Sequence, residues 1–417
     1  MHAEPSEPAA QPGDAAHPGD AAQAPLPAKA EPWTMVTDDA GLLRASEQIA
    51  GGTGPFAVDT ERASGFKYSN RAYLVQVFRR GAGTFLFDPV DITDFSPLAA
   101  ALAGDEWVLH AADQDLPSLA EIGLVPERLF DTELGSRLLG LDRVGLGAVT
   151  AELLGIELAK AHSASDWSTR PLPEPWLEYA ALDVALLPDL RDAVAARLEA
   201  AGKLDYAEQE FEAVRVRPPK PKPSEPWRKL SGGNRMKAPR QLAMTRELWT
   251  ARDQLAQERD VAPGRLIPDA SIVAAVTANP RSAGELASLK TFRGRASRSE
   301  LDRWWRAILR GKTTENLPGP KQREPGTIPS HRGWAVRHPE AAERLVELRA
   351  VVTAEAERQH MPPENLIAPA LVRELAWAPP ADRSPEGVAN RLADLGARPW
   401  QLALVAPILS LVFVENN

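Results

Sequence analysis

The sequence predicts an α/β domain with a mixed sheet, followed by two small all-α domains. From about residue 34 to residue 214, short β-rich runs alternate with stretches of helical periodicity, which is typical of a sheet covered by helices. From about residue 241 onwards the pattern is that of helices joined by short Pro/Gly turns. This helical part also repeats itself, which divides it in two.

Local patterns predict the elements of the α/β domain. Runs rich in β-branched and aromatic residues predict four strands, at 56–59, 72–78, 84–87 and 107–110. Apolar residues at helical spacing predict five helices, at 114–122, 131–140, 145–155, 174–187 and 189–201.

Composition predicts the remaining boundaries. The Ala/Pro-rich start cannot bury a core and lacks the basic and apolar regions of a signal peptide, so we expect a disordered tail. No apolar run is long enough to span a bilayer. The predicted parts are a tail at 1–33, the α/β domain at 34–214, a basic Pro-rich linker at 215–240, a helical domain at 241–312, a linker at 313–336 and a second helical domain at 337–417.

The two helical domains align when the sequence is shifted by one hundred residues. The shift superposes Pro263 on Pro363, and it superposes the Leu-Ile pair at 266–267 on the pair at 366–367. Apolar positions before and after these residues also coincide. So many matches at one offset indicate a duplication.

The chain has a net charge of −9 and no cysteine. The lack of cysteine excludes disulfides, thiolate nucleophiles and Cys-containing zinc sites, and it fits the cytoplasm. Basic residues cluster in two stretches, at 215–240 and 281–312. Such stretches are either solvated surface or a phosphate-binding surface. The Gly-Lys-Thr at 311–313 lacks the upstream glycine of a phosphate-binding loop, so we expect no nucleotide cofactor.

The first candidate site is the sequence Asp59-Thr60-Glu61 at the end of a predicted strand. Because side chains alternate along a strand, Asp59 and Glu61 share a face and Thr60 points away. Two carboxylates that project together repel each other unless a cation such as Mg²⁺ or Mn²⁺ lies between them. On its own the pattern is equally that of an exposed strand end.

Two further acidic segments follow. Asp113 and Asp115 lie where a strand gives way to a helix, a place where an acid also simply favours the helix dipole. Tyr179 and Asp183 are four residues apart on a predicted helix and so lie on one face. The alternative for that pair is a core tyrosine beside a surface aspartate.

Taken in order, these segments resemble the DEDDy exonuclease family, and within it the ribonuclease D group. The resemblance covers roughly 34–201 and includes the Phe-Asp-Thr at 130–132 and the run at 160–172 that leads into Tyr179. The stretch from Ser165 to Asp183 is the most specific part. In the family pattern the acid of the second motif directly precedes a leucine, which selects Asp115 over Asp113.

The resemblance implies a ribonuclease H-like fold and a 3′→5′ exonuclease that holds two divalent cations, Mg²⁺ or Mn²⁺. Asp59 would bridge both metals, with Glu61 and Asp183 completing the site of the attacking water. Asp115 would serve the second metal, and Tyr179 would orient the nucleophile. Products would be nucleoside 5′-monophosphates. The chain departs from the family pattern at Arg62, where a bulky residue is usual, which puts the shape of the substrate-end pocket in doubt.

The helical repeats resemble HRDC domains, small helical nucleic-acid-binding modules that follow the catalytic domain in ribonuclease D. The first repeat matches better than the second. The expected partner is therefore the 3′ end of RNA, with tRNA precursors as the family expectation, in the cytoplasm. A 3′→5′ DNA exonuclease would share all five active-site residues. A non-catalytic RNA-binding scaffold is the other alternative, but such proteins typically lose an acid, and here all four are present.

Overall fold

The structure is a computed structural model that describes residues 26–27, 31–158, 162, 164–219, 221, 223–320 and 326–414. Most of the predicted tail lies outside the described residues, as do Lys220 and Lys222 of the predicted linker. None of the helices in the described part of the chain combines the length and the apolarity needed to cross a bilayer.

The α/β domain is built on a six-stranded mixed sheet with the strand order β2-β5-β4-β3-β6-β7. Strand β4 is antiparallel to both of its neighbours, β3 and β5, whereas the other pairs are parallel. A two-residue pair, β1 with β8, lies outside this sheet. The strands are β1 Leu26–Pro27, β2 Trp33–Val36, β3 Thr53–Arg62, β4 Ala72–Arg80, β5 Gly83–Phe87, β6 Glu106–Leu109, β7 Arg128–Asp131 and β8 Ile156–Glu157.

Among the described residues, eight helices flank the sheet. Helices α1, α2 and α3 contribute to one buried cluster, while α4, α5, α7 and α8 contribute to another. Helix α6 packs against β3, β4 and β5. The helices are α1 Asp39–Ala50, α2 Ser96–Ala101, α3 Leu116–Glu121, α4 Thr132–Leu138, α5 Leu146–Leu154, α6 Glu174–Ala185, α7 Leu187–Ala200 and α8 Leu204–Arg215. The predicted fold class, a mixed sheet with flanking helices and then a helical region, is confirmed.

The second half of the chain is helical and follows the predicted offset. The first unit contains α9 Pro239–Arg259, α10 Pro263–Leu266, α11 Asp269–Ala278, α12 Ala283–Ser288, α13 Arg295–Ser299 and α14 Leu301–Thr313. The second contains α15 Trp334–Arg337, α16 Pro339–Arg358, α17 Pro363–Leu366, α18 Pro369–Trp377, α19 Pro385–Asp394 and α20 Pro399–Val414. Helices α9, α10 and α11 begin one hundred residues before α16, α17 and α18.

Part of the predicted linker belongs to the first helical unit. Pro226–Lys229 and Gly233–Arg235 form short 3₁₀ helices. Leu230 and Met236 are buried in the same cluster as residues of α9 and α14. Because these apolar side chains need a core to cover them, this segment folds onto the unit that it precedes.

The second helical unit shares a continuous apolar core with the α/β domain. The ring of Tyr206 stacks on Trp400 with centroids 4.7 Å apart. The buried ammonium of Lys203 donates to the carbonyls of Leu138 at 2.6 Å and Gln359 at 2.5 Å. A shared core of this kind makes the two parts one cooperative structure.

Close backbone approach reinforces the same interface. Gly140 has a φ of +77°, and a Cβ added there would lie 2.2 Å from the carbonyl oxygen of His360. Only glycine fits this position, since other residues meet both the left-handed backbone and the neighbouring carbonyl.

The first helical unit docks on the loop that follows strand β3. Asp260 ends α9 in the left-handed conformation. Its carboxylate accepts hydrogen bonds from the backbone N–H of Ser69 at 2.9 Å and from the Tyr73 hydroxyl at 3.1 Å. Arg265 donates to the Gly65 carbonyl at 2.8 Å. The unit therefore holds the chain segment that leads away from Glu61.

Candidate active site

Strand β3 carries the first two acids. Asp59 and Glu61 lie on the face of the sheet that α6 covers, and Thr60 points to the other side. The hydroxyl of Thr60 donates to Asp115 at 2.8 Å and lies 3.2 Å from the Ser118 hydroxyl. The side chains of this motif thus alternate between the two faces of the sheet, as predicted.

Helix α6 brings the third acid to the same place. Its residues Leu177, Ala180 and Val184 are buried, which fixes the rotation of the helix. Asp183 consequently faces β3, and carboxylate oxygens of Asp59, Glu61 and Asp183 all lie within 4.8 Å of one another. Residues that are separated by more than a hundred positions in sequence form one compact acidic cluster.

Asp115 lies beside this cluster but is held separately. It is buried and lines the same cleft, whereas Asp113 is exposed and does not line it. Besides the bond from Thr60, the guanidinium of Arg62 lies 3.5 Å from the Asp115 carboxylate. The structure therefore places Asp115, the residue selected by the family pattern, next to the other three acids.

The turn that carries Asp115 is held by Asp131. The Asp131 carboxylate accepts from the backbone N–H groups of Ala111 at 3.0 Å and Ala112 at 2.9 Å, and it also caps helix α4. Ala111 is in the left-handed conformation with a φ of 64°. His110 contacts the Thr132 hydroxyl at 2.8 Å. The Phe-Asp-Thr sequence noted at 130–132 thus braces the second motif.

The acidic cluster is electrostatically strained without a cation. Burial raises the pKa of Asp59 and of Glu61 well above the ordinary values, and the neighbouring carboxylates raise both further. Burial also raises the pKa of Asp183 to about 7 and that of Asp115 to about 6. Arg62 and Thr60 oppose the shift at Asp115. Like charges held this close favour either proton uptake or a bound cation.

Tyr179 is positioned by the acid one turn further along α6. Its hydroxyl is next to the Asp183 carboxylate, which affects the pKa of both groups. Burial, and then the negative charge of Asp183 and Glu61, raises the pKa of Tyr179 above its usual range. The phenol is therefore neutral at physiological pH, so that it can donate or accept a hydrogen bond but does not act as a base.

A cleft of about 1090 Å³ contains all five predicted residues. The residues that also line it include Arg62, Arg143 and His162, and neither Arg143 nor His162 was predicted from the sequence to belong to the site. The ring of His162 meets that of Tyr179 edge to face, with centroids 6.0 Å apart. No sequence signal identifies Arg143, because it reaches the cleft only through the packing of the segment before α5.

The loop before α6 is anchored to the sheet. Arg170 makes a two-pronged ion pair with Asp88 at 2.6 and 2.8 Å and also donates to the carbonyls of Tyr73 and Trp167. Trp167 is fully buried. This anchoring fixes the start of the helix that carries Tyr179 and Asp183.

The donor set fits a hard divalent cation. All four acidic side chains offer carboxylate oxygens, which Mg²⁺ and Mn²⁺ prefer, and the chain has no cysteine that would favour softer metals. Burial raises the pKa of these acids, and the neighbouring carboxylates raise the pKa of Asp59 and Glu61 further, so a bound cation would favour their ionised form.

Three family models match the chain. A model described as a 3′-5′ exonuclease matches residues 33–199, and the HRDC domain model matches residues 241–308. A third, described as a 3′ to 5′ exonuclease C-terminal domain, matches residues 327–413. The second helical unit is thus matched by a model other than HRDC.

Curated relatives and solved structures agree with these models. Ribonuclease D of Pseudomonas paraeruginosa is 30% identical over 345 residues, covering 82% of this chain and 88% of the relative. Ribonuclease D of Escherichia coli K12 is 32% identical over 262 residues, covering 62% and 69%.

Two solved structures resemble the fold over most of its length. A Bifidobacterium adolescentis protein superposes with a TM-score of 0.86 at 34% identity, covering 94% of this chain and all of that protein. The Escherichia coli ribonuclease D structure, described as an exoribonuclease involved in structured RNA processing, has a TM-score of 0.66 at 25% identity, covering 92% and 99%. The resemblance that the motifs predicted is confirmed.

Proposed function

Because this chain belongs to the ribonuclease D family of metal-dependent 3′→5′ exoribonucleases, we propose that Asp59, Glu61, Asp115 and Asp183 hold its metal ions. The ions would be two divalent cations, Mg²⁺ or Mn²⁺, and Tyr179 would orient the attacking water. The observation that carries it is the approach of three carboxylates to within 4.8 Å of one another beneath the tyrosine.

Each residue has a distinct task in this proposal. When bound, the cations would supply an activated water and neutralise charge on the departing 3′-oxygen. Asp59, which interacts with the charges of Glu61, Asp183 and Asp115, is the candidate for the ligand shared by both cations. Glu61 and Asp183 would hold the cation on the side of Tyr179, and Asp115 would serve the other.

Tyr179 would act through its hydrogen-bonding hydroxyl. A neutral phenol next to Asp183 can fix the direction of a water molecule without removing its proton. Orientation of the nucleophile in line with the departing oxygen increases the rate by a large factor.

The first helical unit would bind the RNA substrate upstream of its 3′ end. An exposed basic surface is formed by four side chains that make no ion pair within the described part of the chain, namely Lys290, Arg293, Arg295 and Arg298. Helix α13, which carries two of them, packs on α10, and Arg265 of α10 contacts the loop after Glu61. Phosphate binding on this surface would lead the strand towards the cleft.

The proposed physiological substrates are 3′-extended tRNA precursors, processed in the cytoplasm. The test is the product ladder from such a precursor with Mg²⁺, with Mn²⁺ and with EDTA, beside a DNA strand of the same sequence. We expect stepwise shortening from the 3′ end of RNA, release of 5′-monophosphates, and no reaction in EDTA. Faster cleavage of the DNA would identify a DNA exonuclease instead.

The ligand assignment is tested by Asp59→Asn in the full-length protein. We expect loss of hydrolysis and of Mn²⁺ binding, with RNA binding largely retained. Asp113→Asn is the matched control, because Asp113 is an exposed acid two residues from Asp115 and lies outside the cleft lining. Normal metal-dependent activity in the Asp59→Asn protein would show that the proposed set of metal ligands is wrong.

A further inference from the structure

One buried polar side chain beside the acidic cluster has no role in the proposal above. Gln76 lies on β4 directly opposite Asp59 in the antiparallel pairing of β3 with β4. It is 0% exposed. Neither its amide nitrogen nor its amide oxygen has a hydrogen-bond partner among the described residues.

The surroundings of Gln76 are otherwise apolar. On the same strand and face its neighbours are Leu74 and Phe78, both of which pack into buried clusters. Leu86 of β5 is paired with it on the other side. Helix α6 covers these strands. Gln76 is thus an amide enclosed between the sheet and the helix that carries Tyr179 and Asp183.

A buried glutamine destabilises the folded protein unless its amide forms hydrogen bonds. Leaving a buried amide without hydrogen bonds destabilises the folded protein, whereas an apolar side chain of similar shape has no such cost. Arg79 on the same strand is also buried, but its side chain is hydrogen-bonded. It donates to the carbonyls of Ile49 and Gly54 and to the Asp105 carboxylate.

Asp59 is the polar group that the sheet places within reach. Cβ atoms of directly opposed residues in antiparallel strands lie about 4.5–5.5 Å apart. A glutamine amide spans that distance to a carboxylate by a small change of its terminal torsion, which is soft. The flanking Thr60 is directed to the other face, where it bonds Asp115.

We propose that Gln76 is a positioning residue for the carboxylate of Asp59. In the cation-bound protein its amide N–H would donate to Asp59 and fix the orientation in which that acid presents its oxygens to the cation. The inference rests on the proposed function, because it takes Asp59 as a metal ligand. Partners that orient a ligand in this way typically change metal affinity by about 10–100-fold when removed.

The test replaces the amide with a side chain of the same length in the full-length protein. Gln76→Met removes the hydrogen-bonding atoms and preserves much of the volume, and Gln76→Leu is the second variant. Leu74→Met is the matched control, because Leu74 is fully buried on the same strand and face but is apolar. Mn²⁺ binding is measured by calorimetry without RNA, and thermal unfolding is measured in EDTA.

We expect opposite effects on metal-free stability and metal affinity. In EDTA, Gln76→Met should unfold at the wild-type temperature or above, since it loses no hydrogen bond of the metal-free protein. Its dissociation constant for Mn²⁺ should rise about tenfold or more, with a matching fall in kcat, while Leu74→Met keeps wild-type affinity.

Three results would overturn the inference. They are wild-type Mn²⁺ affinity in both Gln76 variants, an equal loss in Leu74→Met, or a large fall in metal-free unfolding temperature in both Gln76 variants. Each is distinguishable from failure of the proposed function. If Asp59→Asn abolishes Mn²⁺ binding and the Gln76 variants do not weaken it, only the role of Gln76 is wrong.

Discussion

The Thr60 hydroxyl donates to the Asp115 carboxylate at 2.8 Å, so the residue between the two acids of β3 holds the acid of the next motif. That hydrogen bond opposes the effect of burial, which still raises the pKa of Asp115 to about 6. The sequence Asp-Thr-Glu therefore contributes to the site from both faces of the strand.

Thr60→Val should lower activity most at the acid end of the pH range. Valine keeps the shape but removes the donor, so the pKa of Asp115 rises and a larger fraction of this acid is protonated near pH 6.5. We expect a loss of about tenfold in kcat at pH 6.5 and a smaller loss at pH 8.5, measured on a short oligoribonucleotide. Thr60→Ser, which retains the hydroxyl, should keep the wild-type profile. A uniform loss across pH would contradict this reason.

Tyr179→Phe should reduce kcat by about 100-fold and leave Mn²⁺ affinity within a factor of two of wild type. The phenol orients the nucleophile in our proposal, whereas the ring alone preserves the packing against His162. Single-turnover hydrolysis and calorimetry provide the two measurements. A variant that loses metal binding in proportion to activity would show that the hydroxyl supports the ligands instead.

The metal-free protein should become less stable as the pH rises from 6.5 to 8.5. The folded-state pKa of Asp183 is about 7, above that of an unfolded aspartate, so its stabilising protonation is lost in this window. The raised pKa values of Asp59 and Glu61 act in the same direction. Below pH 6.5 buried His110, whose pKa is lowered to about 4, has the opposite effect.

Thermal unfolding in EDTA checks this linkage. We expect the unfolding temperature to fall by roughly 5 °C between pH 6.5 and 8.5, and saturating Mn²⁺ should remove most of the fall. Asp183→Asn is the matched variant and should show a flatter dependence. An unfolding temperature that rises across this window in EDTA would refute the assignment.

The contact between Asp260 and Tyr73 should influence catalysis although neither residue touches the acidic cluster. Tyr73→Phe removes only the hydroxyl that donates to Asp260, and Asp260→Asn removes the charge while tolerating the left-handed backbone. Each should lower kcat/KM on a short oligonucleotide several-fold by loosening the loop after Glu61. The double variant should have a kcat/KM close to that of either single variant, because both substitutions act on the same Tyr73–Asp260 hydrogen bond. Fully additive losses would exclude that shared interaction.

Neutralising the basic surface of the first helical unit should weaken binding of structured RNA. In the variant with alanine at Lys290, Arg293, Arg295 and Arg298, the slope of log K against log salt should become shallower by about 0.7–0.9 for each phosphate that the protein no longer binds. Hydrolysis of a short oligonucleotide should be unchanged and serves as the internal control. An unchanged dependence of RNA affinity on salt would show that the RNA binds to a different surface.

The sequence predicted much of the fold because periodicity reports local burial. Helices α3 to α7 and the central strands lie close to their predicted ranges, whereas helices α1 and α8 were not predicted. The edge strands β2 and β7 were not predicted. Spacing could not distinguish Asp113 from Asp115, and only the family pattern selected the one that is buried.

Other parts of the site depend on tertiary contacts that no local pattern encodes. Gln76 is simply one polar residue in an apolar strand, and its position opposite Asp59 follows from the strand register. Arg143 reaches the cleft, and Asp260 reaches Tyr73, only through the packing of segments that are separated in the sequence. The docking of both helical units on the α/β domain was not predicted either, because it depends on contacts between residues far apart in the chain.

The two left-handed residues that end the long first helices, Asp260 with a φ of 46° and His360 with a φ of 50°, stand at equivalent points of the repeat. One contacts the loop after Glu61, and the other lies against Gly140 and Lys203. A left-handed turn at the same point of both helical units thus provides two attachments to different sides of the α/β domain. A change in the backbone at either turn would therefore alter how a whole helical unit is joined to the catalytic domain.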